Sequence, residues 1–336
     1  MKRCPAIRLG AVARGLAVGL LAAMATVSGS AQAAATQTLA QANQALQAGQ
    51  ADKALALLSS LPQGGASMAD AQNLACRVNY ALQQWNQAVP ECQKAVQLDS
   101  QNSVDHDWLG RALGAKAGTA SFLSAYSLGK QVKTEFETAV KLNPRNADAL
   151  TDLGDFYQQA PAIVGGGTDK AQGIAAQLDK VDPAGAHLLR ARIAEGAKDY
   201  TTAEKELKAA IAASAHPADD WSTLAGFYQR RSRWQDLDSA IQSCESAAER
   251  DQTKGLAFYD GAGVLIESKR NPALAAKMLG EYLAGSSKTE EAPVFEAYVR
   301  LATLKQQLGD AAGAQQARAA ALQLAHNYTP ALNLKF

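Results

Sequence analysis

The chain has 336 residues, with 33 Lys and Arg against 32 Asp and Glu, so its net charge is +1. Alanine fills 72 positions and aromatic residues make up only 6%. Alanine enters a helix at no side-chain entropy cost, so this composition favours an all-helical protein over a β-sandwich. A hydrophobic content of 47% excludes wholesale disorder, and no basic block concentrates enough charge to argue for nucleic acid as a partner.

The first segment reads as an address. Lys2, Arg3, Arg8 and Arg14 precede an uncharged run at 15–27, GLAVGLLAAMATV, and then the small-residue stretch SGSAQAAA. Ala31-Gln32-Ala33 supplies an A-x-A cleavage site, and the apolar run is too short to span a bilayer. Residues 1–33 are therefore expected to be a cleaved secretory signal, leaving a mature chain from Ala34 in the periplasm or secreted. That chain carries 29 basic and 32 acidic residues, a net charge of −3, and has no later segment of membrane-spanning length.

Beyond the leader the chain repeats. Apolar residues at helical spacing alternate with similar stops: LDSQN at 98–102, LNPRN at 142–146 and VDPAG at 181–185. Proline cannot continue a helix, and Asn or Asp caps the next one, so each stop predicts a helix-to-helix corner. Small residues recur at Ala42, Cys76, Gly110, Gly154, Ala191, Ala225, Gly263 and Ala302. A second series runs through Ala54, Ala88, Val132, Ala171, Ala203, Leu237, Ala275 and Ala314.

This pattern resembles the tetratricopeptide repeat family, a helix–turn–helix unit of 34 residues with small residues at its eighth and twentieth positions. The resemblance implies an all-α, right-handed α-solenoid of about eight units forming a single domain over 34–336. The units fall at about 35–68, 69–102, 103–146, 147–183, 184–217, 218–255, 256–294 and 295–328. The third gains ten residues within LGAKAGTASFLSAYSLGKQVKTEF. Shared equally, they lengthen each of its helices by about 7 Å. The fourth gains a loop at 158–167, where Pro161 breaks the first helix and Gly165, Gly166 and Gly167 relieve the backbone. The run from Gly165 to Lys170 lacks a G-K-[ST] ending and a preceding strand, so it reads as a flexible turn and not a phosphate cradle.

Chemistry-bearing motifs are scarce. His106, His187, His216 and His326 are scattered, and no H-E-x-x-H, G-x-S-x-G or C-x-x-C occurs. No catalytic residue, metal site or cofactor is expected. The four tryptophans, Trp85, Trp108, Trp221 and Trp234, read as helix packing, and Arg230-Arg231-Ser232-Arg233 as a solvated turn.

The resemblance implies that the first helix of each unit lines a concave groove that docks a protein or peptide, within a bacterial cell-envelope complex. The ninth position falls on Arg77, Arg111 and Arg192, with Asp155 among them in order. Nearby groove positions are Asn73, Tyr80, Asp107, Thr151, Gln159, Ser222 and Arg230. Two readings stay open: the guanidiniums receive the carboxylates or carbonyls of an extended partner segment, or the interspersed aspartates neutralise them. As exposed residues, the three arginines are expected to tolerate replacement with little loss of stability. Alternatives are a small-molecule or glycan-binding accessory using the 158–167 loop, and a structural spacer. The repeat register also places Cys76 at an eighth and Cys92 at a twenty-fourth position, which face each other where the helices cross. This implies a disulfide, with Cys4 lost in the leader and Cys244 left as a buried, unreactive thiol.

Overall fold

In a computed structural model, residues 16–62, 64, 67–251 and 255–335 are described, residues 16–31 by backbone alone. Lys2, Arg3, Arg8 and Arg14, read above as the start of a secretory signal, lie outside the described residues. The chain forms helices α1 (Leu16–Gln47), α2 (Ala51–Ser59), α3 (Met68–Ala81), α4 (Trp85–Leu98), α5 (Ser103–Gly118), α6 (Phe122–Leu142), α7 (Ala147–Gln159) and α8 (Thr168–Leu178). It continues with α9 (Pro183–Gly196), α10 (Tyr200–Ala213), α11 (Ala218–Arg230), α12 (Trp234–Asp251), α13 (Leu256–Glu267), α14 (Pro272–Ala284), α15 (Val294–Gln307), α16 (Ala311–Leu324) and the short α17 (Thr329–Leu332). No strand occurs among the described residues, and the helices pack as consecutive antiparallel pairs, the architecture of a helical-repeat solenoid.

The corners follow from capping chemistry. Asn102 accepts a hydrogen bond from the Val104 amide, Asn146 from Ala149, Asp182 from Gly185, Asp199 from Thr202, Asn271 from Leu274 and Asp310 from Gly313. Each satisfies an amide that the first turn of a helix leaves without a partner. Inside the pairs, the turn needs one residue of left-handed backbone. It falls on Gly49, Gln83, Lys198, Ser232, Lys269 and Gly309, in each case just before the second helix. The third and fourth pairs lack this turn, and they are the two that carry the insertions.

The turns also fix the register. The residue seven positions before the left-handed one is Ala42, Cys76, Ala191, Ala225 or Ala302, all buried. In the seventh pair the same count from Lys269 reaches Ala262, fully buried, and not Gly263, which faces Arg300. The turn there holds one extra residue, and Asn271 also has positive φ. The expected register was therefore displaced by one residue.

The ten extra residues of the third unit are not shared equally. α6 takes most of them, reaching 21 residues against 14 for α4 and α10, whereas α5 has 16. In the fourth pair α7 stops before Pro161, and a single 3-10 turn at Ala162–Val164 leads to Gly165 at φ +103°. Gly166 admits no side chain, because a Cβ would stand 1.8 Å from the Ala160 carbonyl oxygen.

The two ends of the array meet. One apolar core runs from the first two pairs, through Leu46, Leu58, Leu74 and Val78, into Phe295, Ala321, Ala325 and Tyr328 of the last. Phe295 and Tyr328 pack edge to face at 4.8 Å, and the Tyr328 hydroxyl accepts from Gln83 Nε2 at 3.1 Å. His326 donates its amide to Asp52 at 2.9 Å, and Gly49 gives way to Val294, which a Cβ there would meet at 2.6 Å. The solenoid is closed into a ring.

Candidate binding site at the third and fourth helix pairs

The arginines expected from the sequence are already paired within the chain. Arg77 makes a bidentate pair with Glu290, at 2.9 and 2.6 Å, across the closure. Arg111 donates to Asp152 at 2.5 Å and lies 3.1 Å from Asp107. Arg192 donates to Asp155 at 2.8 Å, and Arg230 holds Glu195 at 2.8 and 2.9 Å. Of the two open readings, internal neutralisation describes the arginines. The expectation that their loss costs little stability is corrected, since Arg77 and Arg111 are mostly buried and each neutralises buried or half-buried carboxylates.

Other residues of the set spread apart. Asn73, Asp107 and Ser222 are buried between helices, Ser222 donating to the Asp219 carbonyl at 2.7 Å. Tyr80 packs edge-on against Trp108 at 5.5 Å, and Trp108 lies between the Arg77 and Arg111 guanidiniums, 5.4 and 4.7 Å from its ring. Thr151 is half-buried, and Gln159 is exposed at the end of α7. The arginine turn at 230–233 is also paired, Arg233 with both Glu204 and Asp236.

A loop of the chain itself reaches these arginines. The α14–α15 loop at 285–293 sends Glu290 to Arg77, while its amide donates to Gln47 Oε1 at 3.1 Å. Tyr282 donates its hydroxyl to the Ala292 carbonyl and fastens the loop from behind. Glu291 lies within electrostatic range of Arg111, Asp148 and Asp152.

Two carboxyls crowd the centre of this face. Burial and the charges of Asp152 and Asp148 push the Asp107 carboxyl up to about 8, burial raises Asp152 as well, and Arg111 bridges both. Asp107 Oδ1 is buried without a hydrogen-bond partner.

Beside this cluster opens a cavity of about 630 Å³, which sequence reasoning located only as a loop. Its walls are α5, the long α6, α7 and the 160–164 segment. Gly110, Gly114 and Ala117 make one wall low, and Phe136, Tyr126 and Phe156 close the others. Arg111, Asp152 and Asp155 stand at its polar end. Of the loop residues singled out from sequence, Pro161 lines the cavity, whereas Gly165 and Gly166 shape the turn behind it. Phe122 and Ile163 line the cavity at 83% and 68% exposure, and with the neighbouring Leu123 at 79% they are the three most exposed large apolar side chains among the described residues. Their sequence signal was available: FL immediately after a helix stop, and AIV inside a glycine-rich loop.

Cys76 and Cys92 are joined in a disulfide across the second pair, with Cα atoms 5.3 Å apart. Cys244 is buried, and burial pushes its thiol up to about 12. Three histidines serve as structural pairs: His106 with Glu135, His187 with Glu206 and His326 with Asp52. Among the described residues no cluster of His, Cys, Asp and Glu has metal-binding geometry, and no helix is long and apolar enough to cross a membrane.

No family model matches the chain, and no curated protein matches it. Among solved structures it is similar to TTC0263, a thermophilic TPR protein of Thermus thermophilus, at 18% identity and a TM-score of 0.49. That match covers 57% of this chain and 98% of the other. It is also similar to the APC/C hetero-tetramer Cut9–Hcn1, at 12% identity and a TM-score of 0.41, over 88% of this chain and 54% of the other.

Proposed function

We propose that this chain is an exported, non-catalytic helical-repeat scaffold that docks a protein or peptide partner in the bacterial cell envelope. The reading for export rests on the leader pattern at 1–33 and on one dimension of the fold. Cutting α1 after Ala33 leaves 14 residues, the length of α3, α9 and α15. An intact mass beginning at Ala34 tests it, and a secreted form retaining residues 1–33 refutes it.

The partner surface follows from what is unsatisfied. The groove arginines are paired within the chain, so they offer little to a visitor. The observation that carries the docking reading is the apolar lip of Phe122, Leu123 and Ile163, on the two elements that depart from the repeat. Exposed apolar clusters of this kind mark interaction surfaces. A photo-crosslinking residue at Leu123, in the native envelope, is expected to yield a discrete protein adduct absent from the same label at Trp234. Equal labelling at both positions removes the lip from consideration.

A second reading, a small-molecule-binding accessory, is favoured by the cavity beneath that lip. Its volume falls within the roughly 300–1,000 Å³ of small-ligand sites, with apolar walls and a few convergent polar groups.

A further inference from the structure

We infer that the cavity between α5, α6, α7 and the 160–164 segment is a binding site for an organic cation carrying an alkyl body, the chain entering along α6 and the cationic head seated at Asp152 and Asp155. This inference rests on the second reading above and names its ligand class.

The apolar part is argued from α5. Glycine inside a helix is destabilising against alanine, so a glycine on a cavity wall is informative where packing does not require it. Gly110 has one, because a Cβ there would stand 2.4 Å from the Phe136 ring. Gly114, one turn on, has none in the packing. A Cβ at Gly114 would touch only Val132 Cγ2, at 4.0 Å. What the missing side chain leaves is the open wall of the cavity, opposite Tyr126 and Phe156. The helix gives up stability where nothing but empty volume gains.

The sign of the head follows from the charges at the polar end. Arg111 is the one cation among the described residues lining the cavity, and it already holds Asp107 and Asp152. Arg192 is held by Asp155, which lines the same end. Asp148 and Glu291 stand within electrostatic range of the same centre. Asp148, Asp152, Asp155 and Glu291 thus outnumber the engaged Arg111 and Arg192 around this end. An anionic head would be repelled by this excess, whereas a cation gains carboxylate partners and the faces of Tyr80 and Phe156.

The test is calorimetric titration of the purified full chain with three probes below their micellar concentrations: decyltrimethylammonium, decanoate and decanol. The expected result is one saturable site for the cation, at least tenfold tighter than for either other probe. Shortening the cation from ten to eight to six carbons is expected to weaken binding by about fourfold per methylene. Gly114→Leu, which fills the cavity without meeting backbone, should abolish binding while leaving the urea midpoint unchanged or raised. If Gly114→Leu fails to fold, Ala117→Leu fills the same wall. Asp152→Asn should reduce the preference for cation over decanol. Equal binding of cation and decanoate overturns the charge assignment but leaves a ligand cavity standing. No saturable binding of any probe, or binding unaffected by both filling variants, overturns the inference and the small-molecule reading with it. A protein adduct at Leu123 would still support the scaffold reading, so the two failures are distinguishable.

Discussion

Replacing Asp107 by Asn should stabilise the protein, by an amount that grows with pH. Asp107 Oδ2 lies 3.1 Å from Arg111 Nε, while Oδ1 is buried without a hydrogen-bond partner beside Asp152. An asparagine keeps an oxygen for Arg111 and brings no charge into this site. In the unfolded chain the Asp107 carboxyl releases its proton near 3.8, whereas in the fold it holds it to about 8. Between those values the folded state binds more protons than the unfolded one, so wild-type stability falls as pH rises. The fall attributable to this group is up to about 1.4 kcal/mol per pH unit. The asparagine variant has no such proton. From pH 5 to pH 7 its advantage should therefore widen by up to about 3 kcal/mol, then level off above about pH 8. Urea unfolding at pH 5, 6, 7 and 8 measures the gap. A gap that stays constant within about 0.5 kcal/mol across that range would mean that Asp107 is ionised in the fold, and the account of a buried neutral carboxyl would be wrong.

Other perturbations have equally definite outcomes. Asp260, Asp219 and Asp105 are pushed up to about 7, 6 and 6, chiefly by burial, so they too favour mild acid. Glu204, held near about 2 by Arg233, Lys208 and Tyr228 against its burial, loses its contribution as pH falls below about 4.5. The melting temperature should consequently peak near pH 5, and a peak at pH 8 would contradict both groups. Reducing the Cys76–Cys92 bridge, which spans 16 residues, should cost about 3 kcal/mol, and unfolded unreduced chain starting at Ala34 should label at Cys244 alone. Gly110→Ala, forced against the Phe136 ring, should cost about 1–3 kcal/mol, whereas Gly114→Ala should gain up to about 1. Phe295→Ala should speed amide exchange in α1 and α3 as well as in α15, and an effect confined to α15 would argue against the closed array.

Much of the fold was legible because its signals are local. Asn102, Asn146 and Asp182 announce the corners by capping within three residues, and the small residues at Ala42, Cys76 and Ala225 mark helix crossings within a unit. The disulfide followed from the same local register. The seventh register slipped at Gly263 because one extra residue in a turn, at Asn271, is invisible to a count of average spacing. The pairing of Arg77 with Glu290 was out of reach for a different reason. It joins residues 213 apart, and their meeting depends on a small rotation accumulated over every intervening pair. The cavity was missed likewise: its walls come from two units whose insertions read separately as a longer helix and a loop, and only their apposition encloses a volume.

The closure of the ring bears on how such a chain can change over generations. An open array can gain or lose a unit at either end for the cost of one interface, and must shield its first and last apolar faces with dedicated polar caps. Here Leu46 and Val78 at one end are covered by Phe295 and Tyr328 at the other, so each terminus serves as the other's cap. Adding a pair would push those faces apart, and deleting one would leave them short of contact. Contact between the ends thus ties the count of pairs to the rotation accumulated per pair, and the two departures in length, α6 and the 158–167 loop, both lie in the interior.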